Sequence, residues 1–208
     1  MRFEINNMTH PKYKDFNQKQ YQENVSIYLE NNNDGYVGGN YPSDRVKFLS
    51  TILPTERHIL EIGSGPGHDA LALQEFGYHV TASDYVDAFV KILKNKKLKT
   101  IKFNAKEDHL NENYDAIYAN AVLVHFSANE INDFLIRVKN HLRNEKVVFI
   151  SFKKGKGSER TGSVSGIERD FNYHTLDEIK ELANSSGYEI VKINEVDEKW
   201  MQILLQIQ

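Results

Sequence analysis

A turn that contains three alternating glycines follows a short apolar run in the first half of the chain. The segment reads Glu61-Ile62-Gly63-Ser64-Gly65-Pro66-Gly67. Glycine lacks a Cβ and tolerates dihedral angles that other residues avoid, so a ligand can approach the backbone closely at such a turn. The spacing from Gly65 through Gly67 to Ala70 also fits the G-x-G-x-x-A dinucleotide-binding pattern. The glycines therefore predict a ligand site and leave the class of ligand open.

Two carboxylates flank this turn and narrow the choice. Glu61 ends an otherwise apolar strand, where an acid is costly unless it meets a positive or hydrogen-bonding group. S-adenosylmethionine carries a sulfonium and an ammonium group, whereas NAD carries a pyrophosphate that Glu61 would repel. Asp84 follows about 20 residues later, where a carboxylate can accept hydrogen bonds from the ribose of either cofactor. Glu61 therefore favours S-adenosylmethionine, and Asp84 indicates a ribose.

Candidate residues for binding a substrate or for catalysis are spread along the whole chain. His125 follows a predicted strand at the edge where open α/β sheets bind ligands, so its imidazole is a candidate general base. Its alternative is a histidine that only lines the pocket wall. Further candidates for substrate contact are aromatic or cationic, with ordinary packing as their alternative: Tyr21, Tyr41, Lys153, Arg169 and Trp200. No histidine and carboxylate cluster has metal-ligand spacing, and no cysteine is present, so no metal site is predicted.

Short β-branched runs alternate with amphipathic segments from Arg57 onward, which is the pattern of a parallel sheet covered by helices on both faces. The predicted strands and helices, in chain order, are strands 58–62 and 78–83, a helix 86–94, strands 100–103 and 114–120, and a buried strand 146–152. A helix is also predicted after Gly67, with Ala70, Leu71, Leu73 and Phe76 on its apolar side and Gly77 as its stop.

Two capping boxes mark further helices. Ser127 with Glu130 precedes a helix with Ile131, Phe134, Leu135, Val138 and Leu142 on one stripe, and Thr175 with Glu178 precedes another that Gly187 ends. The runs 188–194 and 201–207 predict a C-terminal antiparallel hairpin. The Gly- and Ser-rich segment 155–166 predicts a surface loop.

Before this α/β pattern, residues 1–55 predict a helical extension or lid, with helices at about 17–29 and at 43–53, the second capped by Ser43. Residues 56–208 form the predicted main domain. The fold class is therefore α/β, a Rossmann-like sheet of seven mostly parallel strands with helices on both faces.

The motif Ile59-Leu60-Glu61-Ile62-Gly63-Ser64-Gly65-Pro66-Gly67, followed by Asp84, resembles motifs I and II of class I S-adenosylmethionine-dependent methyltransferases. The resemblance spans about residues 21–208. Within that class, the segments 76–84, 120–125 and 151–155 are most similar to small bacterial enzymes of the tellurite-resistance and ubiquinone-biosynthesis type. Two departures stand out: Asn104 replaces a frequent Asp, and Arg143-Asn144-Glu145 replaces the usual Pro-Gly-Gly.

The resemblance implies a division of the cofactor among named residues. The methionine part is expected at Glu61 to Gly67, including Gly63, Ser64 and Gly65. The ribose is expected at Asp84 and the adenine at Asn104 and Ala105, and Tyr85 belongs to the same expected cofactor site. Asn120 and Ala121 complete the expected cofactor site. S-adenosylhomocysteine would be the product.

Composition sets limits on setting and partners. The net charge of −3 and pI near 6.2 argue against a main role in binding nucleic acid. No run approaches the length of a membrane span, and the first ten residues lack a secretory apolar core, so a cytoplasmic protein is expected. The expected acceptor is an O or N atom of a small molecule, and the expected state is a monomer or homodimer. An RNA or protein acceptor, through lysines 91–106, and a non-catalytic binding or nucleotide redox protein are the alternatives.

Overall fold

The computed structural model describes residues 15–162 and 166–208. A seven-stranded sheet forms its centre. Its strands are β1 (His58–Glu61), β2 (His79–Asp84), β3 (Lys99–Lys102), β4 (Tyr114–Ala119), β5 (Leu142–Lys153), β8 (Tyr188–Glu195) and β9 (Trp200–Ile207), and their order across the sheet is β3-β2-β1-β4-β5-β9-β8. Strands β1 to β5 run parallel, and β9 pairs antiparallel with both β5 and β8. The predicted mostly parallel sheet and terminal hairpin are confirmed.

Helices cover both faces of this sheet. They are α1 (Phe16–Glu23), α2 (Val25–Asn31), α3 (Pro42–Ser50), α4 (His68–Glu75), α5 (Asp87–Asn95), α6 (Ala128–Lys139) and α7 (Leu176–Ser185), with a single 3₁₀ turn at Leu123–His125. Side chains of α3, α4 and α5 pack on one face with Ile59, and those of α6 and α7 pack on the other with Leu60. Neighbouring strand residues point to opposite faces, so both faces must be apolar.

Local signals located several helix ends correctly. Both capping boxes form: the Ser127 side chain accepts from the backbone of Glu130, and Thr175 accepts from that of Glu178. Gly77 adopts a φ of 103° and ends α4, as predicted. These helix ends depend on hydrogen bonds within a few residues, so sequence alone specifies them.

Several predicted boundaries were wrong. The first helix breaks at Asn24 into α1 and α2, and α3 begins with Pro42 after Tyr41 rather than with a Ser43 cap. Pro42 occupies the first helical turn, where its missing N–H costs nothing. The helix α6 ends at Lys139, so Leu142 belongs to β5.

The apolar side predicted for α4 was also too wide. Ala70 and Leu73 are buried, but Leu71 and Phe76 are 40% and 42% exposed. Positions three apart share a helix face, whereas Leu71 is rotated by about 100° from Ala70. Only a narrow stripe of this helix therefore faces the sheet.

The segment predicted as a surface loop is largely ordered backbone. Residues Gly157–Thr161 form β6, which pairs antiparallel with β7 (Arg169–Tyr173) in a separate two-stranded sheet. Residues 163–165 of the predicted loop lie outside the described residues. The strand β7 carries Arg169 and Phe171, which both line the candidate site.

Candidate functional site

The strand order fixes where a ligand can enter. From β1 the chain moves outward to β2 and β3, then returns to β4 on the other side of β1. Crossovers that leave in opposite directions open a crevice at the carboxyl ends of the two strands. The glycine turn follows β1, and the segment 120–125 follows β4. Both predicted site segments therefore meet at this switch point.

The three glycines of the turn all have left-handed backbones, but an added side chain would meet different surroundings at each. A Cβ on Gly63 would lie 2.5 Å from a methyl carbon of Val122, and one on Gly67 would lie 2.8 Å from a leucine side chain. A Cβ on Gly65, at φ 51°, would meet only a ring carbon of Tyr28 at 4.0 Å. Gly63 and Gly67 therefore allow close packing, whereas Gly65 borders open space that a ligand can fill.

Glu61 is a buried carboxylate at the end of β1. It is 2% exposed, and its Oε2 is one of the few buried side-chain atoms in the described residues without a hydrogen-bond partner. Burial, together with the nearby charge of Asp69, raises the pKa of Glu61 to about 8. It lines a small cavity of about 50 Å³ with Ser64 and Asp69. A buried acceptor of this kind needs a cationic or donating ligand group.

A buried ion pair holds the other wall of this small cavity. Arg45 of α3 donates to Oδ1 of Asp69 from both Nε (3.0 Å) and Nη2 (2.6 Å). The same guanidinium donates to the carbonyl oxygens of Gly35 (3.1 Å) and Val37 (2.6 Å). Oδ2 of Asp69 accepts from Asn120 at 3.2 Å. Arg45 thus joins the 35–40 loop to the first turn of α4, and sequence reasoning did not find it.

Asp84 braces the glycine turn from the end of β2. Its Oδ2 accepts from the backbone N of Gly65 at 2.9 Å, and its Oδ1 accepts from that of Val86 at 2.9 Å. Burial raises the pKa of Asp84 to about 6, against the opposing effect of these backbone donors. Each carboxylate oxygen can accept a second hydrogen bond, so Asp84 can hold the turn and still accept from a ligand.

The main cavity, of about 250 Å³, lies beside the small one at the carboxyl ends of the parallel strands. Most of the predicted site residues line it: Gly63, Gly65, Asp84, Tyr85, Asn104, Ala105, Asn120, Ala121, His125, Tyr21, Lys153, Arg169 and Trp200. Glu61 and Ser64 line the small cavity, and Gly63, Gly65 and Asn120 border both. The two cavities together form one continuous candidate site.

Two predicted site residues do not line either cavity. Gly67 packs against the leucine side chains of α5 and the chain after it. Tyr41 is 48% exposed and packs edge-to-face on Tyr36, with ring centroids 5.0 Å apart. Tyr36 lines the main cavity, so Tyr41 lies behind a cavity residue and its role toward a substrate stays a prediction.

A hydrogen-bonded chain of side chains forms the end of the cavity away from Asp84. Nη1 of Arg169 donates to the hydroxyl of Tyr21 at 2.8 Å, and this hydroxyl lies 3.2 Å from Nε2 of His125. Nδ1 of His125 lies 2.7 Å from the carbonyl oxygen of Asp170, which can only accept. His125 therefore carries its proton on Nδ1, and Nε2 accepts from Tyr21. Burial lowers the pKa of His125 to about 4, so the ring is neutral at physiological pH.

The helix α1 is fastened over this end of the cavity at both sides. Nδ2 of Asn17 donates to the carbonyl oxygen of Asp170 (3.1 Å), and its Oδ1 accepts from the backbone N of Asp170 (2.8 Å). On the other side, Gln18 donates to the carbonyl oxygen of Tyr85 at 3.1 Å. Sequence reasoning did not single out Asn17, because its partner lies 153 residues away.

The sheet order and the covering helices give the fold of class I methyltransferases, and known proteins share it. A family model described as a methyltransferase domain matches residues 35–193. The chain therefore belongs to this methyltransferase-domain family, and the predicted class resemblance is confirmed. The finer likeness to tellurite-resistance and ubiquinone-biosynthesis enzymes stays a prediction.

Two solved structures show how far the shared fold extends. The CcbJ methyltransferase from Streptomyces caelestis superposes with a TM-score of 0.73, covering 92% of this chain and 99% of that chain at 15% identity. The 1,6-didemethyltoxoflavin-N1-methyltransferase from Burkholderia thailandensis gives a TM-score of 0.69, with 89% and 86% covered at 19% identity. At these identities the likeness shows the fold alone.

One curated protein also matches part of the chain. Hemagglutinin 1 of Eikenella corrodens is 29% identical over 101 residues, which is 46% of this chain and 33% of that protein. The match therefore spans about a third of the length of this relative.

None of the described helices is both long and apolar enough to cross a membrane. Residues 15–162 and 166–208 contain no group of three or more histidine, aspartate or glutamate side chains placed to hold a metal ion.

Proposed function

We propose that this protein transfers a methyl group from S-adenosylmethionine to an O or N atom of a small molecule. The observation that carries the proposal is the buried, unpartnered Oε2 of Glu61 beside the open space at Gly65. Such a site accepts a ligand that carries a cationic group and that can approach the protein backbone closely. S-adenosylmethionine carries an ammonium group and a sulfonium group and has no phosphate.

The residues present fit this cofactor part by part. Glu61 would hold the ammonium group, and the backbone at Gly65 would lie against the methionine part. Asp84 has free acceptor capacity for the ribose hydroxyls. Oδ1 of Asn104 already accepts from the backbone N of Lys106 at 3.1 Å, so an adenine amine would use its second lone pair. Arg45, the cation in the wall of the small cavity, is paired with Asp69. The buried carboxylate of Glu61 would repel a pyrophosphate, which argues against a nucleotide redox cofactor.

S-adenosylmethionine supplies a methyl group that is already activated by the sulfonium, so the chain has to orient the acceptor and exclude water. Tyr21 and Tyr28 of α1 and α2 pack edge-to-face with each other and with Phe89, over the cavity. The hydroxyl of Tyr21, held between Arg169 and His125, is available to position an acceptor atom. The low pKa of His125 gives it the role of a neutral hydrogen-bond acceptor rather than a strong base.

The form of the cavity favours a small acceptor over RNA or protein. Helices α1 and α2 cover it, and it measures about 250 Å³. The lysines that suggested RNA binding are partly neutralised by carboxylates. Lys99 pairs with Glu112 (2.8 Å), Lys102 with Asp87 (2.6 Å), and Lys106 with Glu130 (3.0 Å). These pairs weaken the attraction for phosphates at three of the seven lysines between residues 91 and 106.

Calorimetric titration with S-adenosylhomocysteine tests the proposal. Gly65→Arg fills the open space beside the turn and is expected to abolish binding. Gly157→Arg is the matched control, because Gly157 also has a left-handed backbone, lies in β6, and would have no neighbour within 4 Å of an added Cβ. It is expected to bind like the wild type. Equal binding by both variants, or no binding by the wild type, would refute the cofactor assignment.

Methyl transfer itself needs a separate measurement. Purified protein is incubated with S-adenosylmethionine and a small-molecule extract, and the products are separated by mass. A metabolite that gains one methyl group together with S-adenosylhomocysteine supports an enzyme of small molecules. Cofactor binding without any transfer, to the extract or to added RNA or protein, would support the non-catalytic alternative.

A further inference from the structure

Lys153, the last residue of β5, is a mostly buried cation at the end of the main cavity away from Asp84. Its side chain is about nine-tenths buried and lines the main cavity. Its contacts in the described residues are with aromatic rings: Nζ lies 4.2 Å from the ring centroid of Phe171, 5.7 Å from that of Tyr173 and 5.9 Å from that of Trp200. No hydrogen bond or ion pair of Nζ is formed with the described residues. An ammonium group on a mostly buried side chain, open to the cavity and without an acceptor among the described residues, is suited to bind an anionic ligand there.

A second cation lies beside the same ring. The guanidinium carbon of Arg169 lies 5.1 Å from the ring centroid of Phe171 and 5.3 Å from that of Tyr21. Burial lowers the pKa of Lys153, and the charges of Arg169 and Lys199 lower it further, while Glu159 opposes them. The two buried cations therefore raise the electrostatic potential at this end of the cavity together.

Among residues 15–162 and 166–208 no carboxylate forms an ion pair with Lys153, and four carboxylates at or near the cavity have other hydrogen-bond partners. Both oxygens of Asp84 accept from backbone N–H groups at the cofactor end. Oδ1 of Asp197 accepts from the backbone N atoms of Lys199 and Trp200, each at 2.7 Å. The carboxylate of Asp170 pairs with Arg160 at 2.7 and 2.9 Å. Glu159 accepts from the hydroxyl of Tyr173 on the exposed side of β6.

We propose that the acceptor is an anion, and that Lys153 and Arg169 bind its carboxylate or phosphate group while Phe171 and Trp200 contact a flat apolar body. This inference rests on the proposed function, because it names the class of molecule that receives the methyl group. Lysine and arginine are both suited to carboxylate and phosphate oxygens, and charge-assisted hydrogen bonds to them are about twice as strong as neutral ones.

Matched anionic and neutral probes test the charge requirement. Isotope-labelled protein loaded with S-adenosylhomocysteine is titrated by NMR with benzoate, with phenyl phosphate, and with the neutral benzamide. We expect at least one anion to bind about tenfold more tightly than benzamide, with shifts at Phe171 and Trp200. The stronger of the two anions then identifies a carboxylate or a phosphate as the natural head group.

Variants connect this preference to Lys153. In Lys153→Met the anion and benzamide are expected to bind within about twofold of each other. Lys154→Met is the matched control, since Lys154 is the next residue and pairs with Glu195 at 3.1 Å outside the cavity. It is expected to retain the full preference. Lys153→Gln, which keeps a polar group, replaces Lys153→Met should that variant not fold.

Several outcomes would overturn the proposal. They are equal binding of anions and benzamide by the wild type, no binding of either anion, and an unchanged preference in the Lys153 variants. Each titration begins with S-adenosylhomocysteine, so its outcome tests the proposed function before the anion preference is measured. Normal binding of S-adenosylhomocysteine with no anion preference would refute only the anionic acceptor, whereas failure to bind S-adenosylhomocysteine would refute the proposed function.

Discussion

Replacing Glu61 by Gln tests whether this carboxylate meets the ammonium group of the cofactor. In the unliganded protein the pKa of Glu61 is raised to about 8, chiefly by burial. The carboxyl is therefore mostly protonated at neutral pH and must lose its proton to form an ion pair with the ligand. Binding of S-adenosylhomocysteine should release a proton and strengthen as pH rises. Glu61→Gln removes the titrating group and should remove both effects.

The pKa sets the size of the effect. At pH 6.5 the carboxyl is about 1.5 pH units below its midpoint, so ionising it costs about 2 kcal/mol. Between pH 6.5 and 8 the affinity of the wild type should therefore rise roughly 15-fold, with close to one proton released at the lower pH. Glu61→Gln should bind more weakly than the wild type at pH 8 and show a nearly flat profile. The pKa of Asp84, about 6, lies below this window.

Glu61→Gln should weaken cofactor binding but make the unliganded protein more stable. The pKa of Glu61 is higher in the native protein than the usual value of 4.5, so the native state holds an extra proton between pH 4.5 and 8. The free energy of unfolding therefore falls as pH rises through that window. At pH 7.5 Glu61→Gln should stabilise the unliganded protein by roughly 2 kcal/mol, allowing for the buried amide. Urea unfolding measures this gain.

Calorimetry at several pH values, in two buffers with different ionisation enthalpies, gives both the affinity and the number of protons released. Glu56→Gln is the control, because this glutamate side chain is 73% exposed and lies outside the site. It should retain the pH dependence of the wild type. The reasoning is refuted if the wild type binds with no proton release and a flat pH profile, or if Glu61→Gln keeps the full pH dependence.

Two further predictions concern the frame of the site. Arg45→Met leaves Asp69 as a buried charge without its main partner, so the free energy of unfolding should fall by about 3 to 5 kcal/mol in urea. Lys47→Met, on the exposed side of the same helix, should change it by no more than about 0.5 kcal/mol, and equal losses would contradict the argument. His125 should not titrate between pH 5.5 and 8 in an NMR titration of the histidine rings, because burial lowers its pKa to about 4. A midpoint near 6.5, absent from the spectrum of His125→Gln, would show that the ring is solvated.

The sequence allowed the main sheet and the cofactor end of the site to be predicted because their signals are local. The buried second half of β5, residues 147–152, is a mostly apolar run, and each capping box lies within four residues. Glu61 ends β1, the glycines form the turn after it, and Asp84 ends β2. In such elements the local residue pattern is enough to predict the backbone geometry.

Elements that depend on distant partners could not be predicted. The strand β6 contains Ser158, Glu159 and Arg160, which are all exposed and show no alternation of polar and apolar residues. Its order comes from pairing with β7, so composition alone predicted a loop. Arg45 lies on a helix with no distinctive pattern, and its partner Asp69 is 24 residues away. Burial of the pair becomes visible only when α3 and α4 are packed together.

The end of β5 connects the two halves of the proposed site. Ala121, after β4, has a left-handed backbone with φ 53°, which is costly for a residue other than glycine. Its N–H donates to the hydroxyl of Ser151 at 2.7 Å, and this hydroxyl donates to Oδ1 of Asn120 at 2.8 Å. Ser151 therefore fixes the turn that lines both cavities and leads to His125. Lys153 extends from the same strand two residues later, so a displacement of β5 would move the cofactor wall and the proposed anion contact together.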